Sequence, residues 1–470
     1  MPSGRSLVDQ KISFACSGTA CPSPLCQFGT DAQGKASRTP TGPSIIMTPG
    51  SNYKWHVVGM LWCISFFNYA DRLAIFSLFP LLQKEMHLSP LQLGFLGSAF
   101  AWVYGLCAPF AGNVADRIRR KTAILGGLFV WSSVAVITPI ARTFHQLFSF
   151  MAIEGLGETF YVPASMSMIS DYHGKQTRSR AMGVHQTSVY LGTIAGAFFA
   201  GLIGERYGWR WSFVVFGGLG IVLGLLLVRF LQEPRRGASD AQCPQAGAML
   251  QWDSKVSVIE FLRVAAARPS VVMLMAGFVC ANFVAVVLLA WMPKFLYDKF
   301  HLSLAMAGLS ATLFVQFASM VGSPLGGWLA DRLRRRLAGG RIIVQAVALL
   351  CGAPFVFLCG KTSSISWLMV ALTLWGLFKG CYDSNIFASL FDVIPAHARG
   401  TGAGFMNLVG WLAGGGLAPV VVGFIAERES LSSAISLASL VYVAGGILLG
   451  TAILRFARTD VLRCGEPFTC

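Results

Sequence analysis

Long apolar stretches, separated by short clusters of polar and charged residues, fill this chain from residue 55 to residue 455. Each stretch has about 20 residues or more, which is the length that an α-helix needs to cross a hydrocarbon core of about 30 Å. The pattern contains twelve of them, at residues 55–80, 91–115, 122–141, 145–170, 181–204, 210–232, 271–293, 304–330, 341–360, 364–394, 399–426 and 432–455. It therefore predicts an all-α polytopic membrane protein with twelve transmembrane helices.

The composition supports this prediction, and the placement of charge orients the helices. Of the 470 residues, 54% are hydrophobic and only 12% are charged, which excludes an ordinary water-soluble domain. The net charge of +16 raises the alternative of a nucleic-acid partner, but Lys and Arg are concentrated in alternate loops and the tail, with 21 on one side against 8 on the other. Positive loops mark the cytoplasmic side. We expect both termini in the cytoplasm, a multi-pass protein of the cytoplasmic (bacterial inner) or plasma membrane, and no nucleic-acid partner.

Two segments of different composition divide the chain. The first 50 residues are rich in Ser, Pro, Gly and Thr and contain no apolar run, so we expect disorder there, with translation starting at Met47. The longest interruption between helices begins at Glu233 and contains Pro, Gly and scattered charge. The predicted organisation is a disordered cytoplasmic segment at 1–50, a six-helix bundle at 51–232, a cytoplasmic central loop at 233–269, a second six-helix bundle at 270–457 and a cytoplasmic tail at 458–470.

A repeat links the two predicted bundles. The segment from Gly112 to Lys121 and the segment from Gly327 to Arg336 lie 215 positions apart, and both read Gly-x-x-x-Asp-Arg-x-x-Arg followed by Lys or Arg. Further matches follow in the same order: Gly155-Leu156 with Gly376-Leu377, Asp171 with Asp392, Arg180 with Arg399, and Glu205-Arg206 with Glu427-Arg428. Duplicated membrane halves are typical of secondary transporters.

Twelve helices, a long central loop and this loop motif after the second and eighth helices resemble the major facilitator superfamily. The resemblance implies two pseudo-symmetric six-helix bundles that alternate access to a central cavity. It also implies that the motif latches the cytoplasmic side, which makes a cytoplasmic gate of Asp116, Arg117, Arg120, Asp331 and Arg332. The alternative for the basic residues is that they only fix topology.

Six ionisable residues lie inside the predicted helices: Asp71, Arg72, Glu154, Glu158, Lys379 and Asp383. A charge near the bilayer centre costs at least about 2.5 kcal/mol, so such residues face a cavity or a partner. Glu154 and Glu158 are four positions apart and share one helix face. Two carboxylates that are close together in a dry site repel each other, so one of them is able to carry a proton.

The segment from Asn68 to Arg72 and the segment from Gly155 to Glu158 resemble the anion:cation symporter branch, whose members carry organic anions with protons. Similar segments occur in Spinster-like transporters. The first resemblance implies that Asp71 and Glu158 couple protons, with Glu154 as a second acid, and that Arg72 holds the substrate carboxylate. The alternative is an internal salt bridge, such as Arg72 with Glu158, that only braces two helices. Lys379 is likewise either a substrate residue or simply neutralised by Asp383.

The remaining candidates for the cavity are polar. We expect substrate contacts from Tyr69, Tyr161, Gln316, Lys379, Asp383 and Asn407, and we expect His185 to lie at a solvated helix end. Trp411 fits interfacial anchoring or packing better than substrate binding.

The sequence shows no nucleophile elbow, no phosphate loop and no cluster with metal-ligand spacing, so we expect no enzymatic activity, no cofactor and no metal. We expect proton-coupled symport of a small organic anion, such as a sugar acid, by a protein that works as a monomer. The alternatives are a Spinster-like lipid transporter, a drug/proton antiporter and, in a different class, a transporter-like metabolite receptor.

Overall fold

A computed structural model describes residues 52–174, 177–234, 258–337, 339–395 and 399–457. The predictions for residues 1–50, for translation from Met47, for most of the central loop and for the tail at 458–470 lie outside these residues. The described chain is almost entirely helical.

The first half contains seven helical segments, which are α1 (Tyr53–Met86), α2 (Pro90–Arg117), α3 (Arg120–Ile137), α4 (Phe144–Glu158), α5 (Tyr161–Tyr172), α6 (Arg178–Tyr207) and α7 (Trp209–Phe230). A short helix, α8 (Val258–Ala266), precedes the second half. The second half contains α9 (Pro269–Phe300), α10 (Leu304–Arg334), α11 (Gly340–Lys361), α12 (Ile365–Asp383), α13 (Ile386–Val393), α14 (Arg399–Val409), a π-helical segment (Gly410–Gly415), α15 (Ala418–Arg428) and α16 (Leu431–Ala452).

Three of the twelve predicted spans are interrupted helices. The fourth is divided into α4 and α5 directly after Glu158, and the tenth into α12 and α13 directly after Asp383. In the eleventh, the π-helical segment separates α14 from α15. Within the described residues, ten spans meet the length and hydropathy of a membrane crossing. The other two predicted spans are α1 and the α4–α5 pair, which carry the four ionisable residues of the first half.

A similar turn follows the first helix of each half. His87 ends α1 and His301 ends α9, and both have a left-handed backbone with φ of 52°. Ser89 and Ser303 follow two positions later and cap the next helix by accepting a backbone N–H bond. The sequence His-Leu-Ser occurs at both places and is a further match between the two halves, in addition to those given above.

The apolar surface lies on the outside of the bundle. Large side chains such as Phe110, Leu225 and Trp328 are more than half exposed, whereas Asp71, Glu154 and Glu158 are buried. This arrangement is the reverse of a water-soluble protein and fits a surrounding lipid phase. The predicted fold class is therefore confirmed as a membrane bundle of two six-helix halves.

The two halves contact each other closely toward one face of the bundle, which we name the Met86 end, since α1 runs from Tyr53 at the other face to Met86. There α6 packs on α10 at Gly201, where a Cβ atom would lie 2.5 Å from the carbonyl oxygen of Leu304. The rings of Phe79 in α1 and Trp291 in α9 meet edge to face with centroids 5.4 Å apart. These contacts close the Met86 end beneath a central cavity.

Candidate functional site

A cavity of about 470 Å³ lies between the two halves. The first half lines it with side chains from α1, α2, α4 and α6, and the second half with side chains from α9, α10, α12, α13 and the π-helical segment. Five of the six ionisable residues inside the helices line it: Asp71, Arg72, Glu154, Lys379 and Asp383. The volume lies in the usual range for small-molecule sites.

Arg72 and Glu158 form a buried ion pair behind one wall of the cavity. The guanidinium group donates to Oε2 of Glu158 from Nε at 2.9 Å and from Nη2 at 2.5 Å. The side chain of Glu158 is fully buried, and that of Arg72 is 7% exposed. The second carboxylate oxygen, Oε1, has no hydrogen-bond partner among the described residues. This pair joins α1 to the end of α4, and Oε1 of Glu158 can still accept a hydrogen bond.

Aromatic rings surround the same guanidinium group. Its Cζ atom lies 4.7 Å from the ring centroid of Tyr69, 4.5 Å from Phe100, 5.0 Å from Tyr104 and 5.8 Å from Trp411. The negative faces of such rings attract a cation. Arg72 is therefore held charged in an apolar setting by one carboxylate and several rings, and Trp411 is the ring from the second half.

Asp71 and Glu154 form a second acidic pair on the cavity wall. Their carboxyl groups are close enough to interact electrostatically, so they repel each other when both are charged. Oδ1 of Asp71 and Oε1 of Glu154 are buried and have no further partner among the described residues. Because Glu154 and Glu158 share a face of α4, this wall holds three carboxyl groups and one guanidinium group.

Lys379 and Asp383 form an ion pair on the opposite wall, through Nζ and Oδ2. Both residues belong to α12 and are one helical turn apart. Lys379 corresponds in the repeat to Glu158, which lies 221 positions earlier. Tyr69 and Tyr190 of the first half are close enough to interact electrostatically with Lys379. The two halves thus present opposite charges at equivalent positions.

The other expected substrate residues fall into two groups. Tyr69 and Gln316 line the cavity, whereas Tyr161 and Asn407 are not among its lining residues. The hydroxyl of Tyr161 donates to the carbonyl oxygen of Leu61 at 2.6 Å and lies 2.9 Å from Nε2 of His185. We correct the expectation for Tyr161, because its hydroxyl is used in packing α5 against α1 and α6. His185 is 2% exposed rather than at a solvated helix end.

Sequence reasoning missed the aromatic part of the site. Phe100 and Tyr104 were not singled out, and Trp411 was assigned to anchoring or packing. Aromatic residues are frequent throughout an apolar chain with 12% aromatic content, so composition alone carries no signal for these three. The four-residue spacing of Phe100 and Tyr104 on α2 is the one local sign that both share a face.

The predicted gate residues occupy the Tyr53 end of the bundle. Arg120, at the start of α3, pairs with Asp171 of α5. In the second half, Arg341 pairs with Asp392 of α13 at 3.1 Å and with Asp331 at 3.0 Å. The side chains of Asp116 and Arg117 lie outside the described part of the structure.

The pairing corrects one detail of the repeat. An offset of 215 matches Arg120 to Arg335, but the residue that occupies the equivalent place is Arg341, 221 positions after Arg120. The six extra residues fall between Asp331 and Arg341, at the end of α10 and in its connection to α11. Arg332 of the predicted gate is exposed and lies over the ring of Trp328, 5.6 Å from its centroid.

The family model described as Major Facilitator Superfamily matches residues 61–419 and 295–462. The chain is 27% identical over 377 residues to the probable anion transporter 4, chloroplastic, of Oryza sativa subsp. japonica, covering 78% of this chain and 63% of that protein. It is 24% identical over 396 residues to the probable galactarate/D-glucarate transporter GudP of Escherichia coli strain K12, covering 80% of this chain and 87% of that protein.

Among solved structures, a bacterial homolog to the human lysosomal transporter Spinster, in an inward-facing and unoccupied conformation, matches with a TM-score of 0.73. The sequence identity is 22%, and the match covers 89% of this chain and 99% of that one. At this identity the likeness shows a shared fold. The chain spans less than two thirds of the rice protein but most of the bacterial ones.

Proposed function

This chain belongs to the Major Facilitator Superfamily and is a membrane transporter rather than an enzyme, and we propose that it carries a small organic anion by symport with protons. The observation that carries the proposal is the Arg72–Glu158 pair beside the cavity, next to the two neighbouring acids Asp71 and Glu154. The relatives whose names specify an anion or a sugar acid support the substrate class.

Arg72 is the residue that binds the anionic group of the substrate in this proposal. Its guanidinium group lines the cavity, and its planar fork can bind a carboxylate through two parallel hydrogen bonds. In the described structure Glu158 occupies that fork. A substrate carboxylate and the carboxylate of Glu158 therefore compete for the same donors.

A proton resolves this competition. When Glu158 is protonated its negative charge is lost, the attraction to the guanidinium group falls, and Arg72 is free to hold the substrate. When the proton leaves, Glu158 reclaims Arg72 and the substrate is released. Substrate and proton thus bind together and leave together, since each stabilises the state that the other requires.

Asp71 and Glu154 extend the route of the proton. Both line the cavity, their carboxyl groups are close to each other, and Glu154 lies one helical turn before Glu158. A proton that enters the cavity can pass to this pair and then along the face of α4. The site needs no metal or cofactor for this transfer.

Alternating access would move the site between the two sides. We place the Tyr53 end in the cytoplasm, together with both termini, because the Lys and Arg residues are concentrated in the loops at that end. With the Met86 end closed, the cavity then faces inward, and the inward-facing conformation of the Spinster homolog supports this orientation. We propose that the ion pairs of Arg120 with Asp171 and of Arg341 with Asp331 and Asp392 belong to the cytoplasmic gate. One chain contains the complete site, so we propose a functional monomer.

A Spinster-like lipid transporter is the second candidate. Besides the structural similarity, the cavity has an apolar part that includes Ile75, Phe76, Val286 and Leu289. An acyl chain could lie there while a charged head group reaches Arg72. In that case a single-chain phospholipid, rather than a sugar acid, would compete for the site.

Proteoliposomes with an imposed inward proton gradient test the proposal. We expect uptake of labelled sugar acids such as galactarate or D-glucuronate to rise with the gradient and to collapse when a protonophore is added. In E158Q the gradient should lose its effect, whereas exchange of internal for external substrate should persist. D298N is the matched control, because Asp298 forms an ion pair with Lys294 away from the cavity. Uptake by the wild type that ignores the gradient would refute proton coupling, and competition by lysophospholipids but not by sugar acids would favour the lipid candidate.

A further inference from the structure

The cavity holds two cationic side chains, and they belong to opposite halves. Arg72 projects from α1 and Lys379 from α12, and both line the same 470 Å³ space. Tyr69 lies near both, since its ring centroid is 4.7 Å from Cζ of Arg72 and its hydroxyl interacts electrostatically with Lys379. Of the two, the mechanism proposed above uses only Arg72. Lys379, which the sequence suggests as a substrate residue, is therefore a charged group in the cavity to which that mechanism assigns no part.

The ion pair of Lys379 differs physically from that of Arg72. Arg72 is held by a carboxylate on another helix, so this pair joins α1 to α4. Lys379 is held by Asp383 on its own helix, four positions away. Separating Lys379 from Asp383 disconnects no helices. Asp383 is also 37% exposed, so water can solvate its carboxylate once it is released. An anionic ligand can therefore recruit Lys379 at low cost.

Among the residues that line the cavity, the repeat gives this lysine no counterpart of the brace between helices in the first half. In the first half Glu158 of α4 meets Arg72 of α1. In the second half Lys379 takes the place of Glu158, but the wall that α9 contributes is apolar, with Val286 and Leu289. The second half thus offers its cation no acidic partner on α9 among the residues that line the cavity.

Polar side chains occupy the space around these two cations. Tyr190 and Gln186 come from α6 of the first half, and Gln316 and Ser323 come from α10 of the second. Their hydroxyl and amide groups both donate and accept hydrogen bonds, which suits the hydroxyl groups of a sugar chain. A ligand with an apolar body would leave these groups unpaired, at a cost in affinity.

We propose that the substrate is a polyhydroxylated dicarboxylate, whose two ends are bound by Arg72 in the first half and by Lys379 in the second. This proposal rests on the proposed function and narrows it from organic anions in general to dianions of the aldaric acid type. One carboxylate takes the fork of Arg72 when Glu158 is protonated. The other displaces Asp383 from Lys379. A ligand that reaches both halves also draws them together, which favours the closure that transport requires.

Binding measurements on the purified full-length protein, without a membrane gradient, test this substrate class. The probes are galactarate, with a carboxylate at each end, D-galactonate, which has the same carbon chain and one carboxylate, and galactitol, which has none. We expect galactarate to bind about tenfold more tightly than galactonate, because one charge-assisted contact is added. Galactitol should bind more weakly than either.

The variant K379Q assigns that difference to one residue. It should weaken galactarate binding to the level of galactonate and leave galactonate within about twofold of the wild type, which also shows that the variant is folded. K294Q is the matched control, because Lys294 pairs with Asp298 at the same i to i+4 spacing outside the cavity. D383N should keep or strengthen the preference for galactarate, since Lys379 then loses its competitor.

Two results would overturn the proposal. Equal binding of galactarate and galactonate to the wild type would exclude a second anion site, and equal weakening of both ligands in K379Q would give Lys379 a general structural role. Different results would refute proton coupling, which belongs to the proposed function, and the dianion site. If galactarate is preferred but its uptake ignores the proton gradient, the dianion site stands and proton coupling does not. If proton-driven uptake of galactonate equals that of galactarate, coupling stands and the dianion site does not.

Discussion

The indole ring of Trp411 lies over the guanidinium group of Arg72, with 5.8 Å between the ring centroid and Cζ, although the two residues belong to opposite halves of the protein. Trp411 is held in this position by the π-helical segment Gly410–Gly415, where the side chain of Asn282 donates to the carbonyl oxygen of Gly410 at 2.7 Å. The second half therefore contacts the proposed anion-binding residue of the first directly.

Replacing this ring tests the contact. W411L should raise the dissociation constant for the transported anion about threefold, because one cation–π contact of about 0.5 to 1 kcal/mol is lost while three other rings remain. Equilibrium binding measures the change. W328L is the control, since Trp328 makes the same kind of contact with exposed Arg332. If W328L has the same effect, the change cannot be assigned to the cavity.

The fork of Arg72 gives a second prediction. In R72K the positive charge remains, but a lysine cannot donate two parallel bonds in the fixed geometry of a guanidinium group. We expect substrate affinity to fall about tenfold or more and proton-driven uptake to fall with it. R210K is the matched control, because Arg210 pairs with Glu85 outside the cavity. Wild-type affinity in R72K would show that charge alone is sufficient for anion binding.

Tyr161 and Tyr69 should respond differently to loss of the hydroxyl group. In Y161F the carbonyl oxygen of Leu61 loses its donor, so the apparent melting temperature should fall by about 2 °C or more while substrate affinity stays within twofold. In Y69F, where the residue lines the cavity, substrate affinity should fall. A binding defect in Y161F with unchanged melting would reverse the assignment.

Close packing between the halves gives a fourth prediction. At Gly308 of α10, an added Cβ would lie 2.8 Å from the carbonyl carbon of Ala197 and 2.9 Å from Oγ of Ser77. G308A should therefore separate α10 from α6 at the Met86 end and lower the uptake rate about tenfold, through an overpacking cost of about 1 to 3 kcal/mol.

The same helix supplies the control for this change. Gly327 also lies in α10, but no atom is within 4 Å of the position of its Cβ. G327A should transport like the wild type and melt at the same temperature. Equal defects in the two variants would point to the helix itself rather than to its contact with α6.

The ion pairs at the Tyr53 end give a fifth prediction. Arg341 is 18% exposed and bridges Asp392 and Asp331. R341Q leaves two carboxylates without this partner, so the apparent melting temperature should fall by about 3 °C or more. Exposed Arg332 is the comparison, because R332Q should change the melting temperature by about 1 °C or less. A smaller effect in R341Q than in R332Q would contradict the assignment of Arg341 to this cluster.

The helical architecture could be predicted from the sequence because lipid imposes a simple requirement. A chain that crosses a bilayer must satisfy its backbone hydrogen bonds internally over about 20 apolar residues, so the spans are visible as a local pattern. The charged residues of the site were visible for the same reason, since Asp71, Glu158 and Lys379 each interrupt an apolar helix at a high cost.

The aromatic partners of these residues could not be predicted in the same way. Aromatic side chains are ordinary in a membrane helix, so nothing local distinguishes Phe100 or Tyr104 from a ring that faces lipid. Tyr161 was expected to contact substrate, but it begins α5 after the break in this span, and its hydroxyl contacts Leu61 and His185. Arg341 was missed because six extra residues shift the repeat.

The pattern of residues along the chain was enough to identify the class of protein, its twelve spans, its duplication and the six ionisable residues that its helices enclose. These features can be recognised from composition and spacing, because a lipid environment requires long apolar helices and makes a charge within them conspicuous. The pair of Lys379 with Asp383, one turn apart on a single helix, could be read along the chain, and Arg72 with Glu158 was one of two alternatives. The folded structure settled the contacts between helices, which bring Arg72 to Glu158 and Asp71 close to Glu154. Pairing depends on how helices far apart in the chain rotate and pack against each other, and those contacts leave no local signal in the sequence.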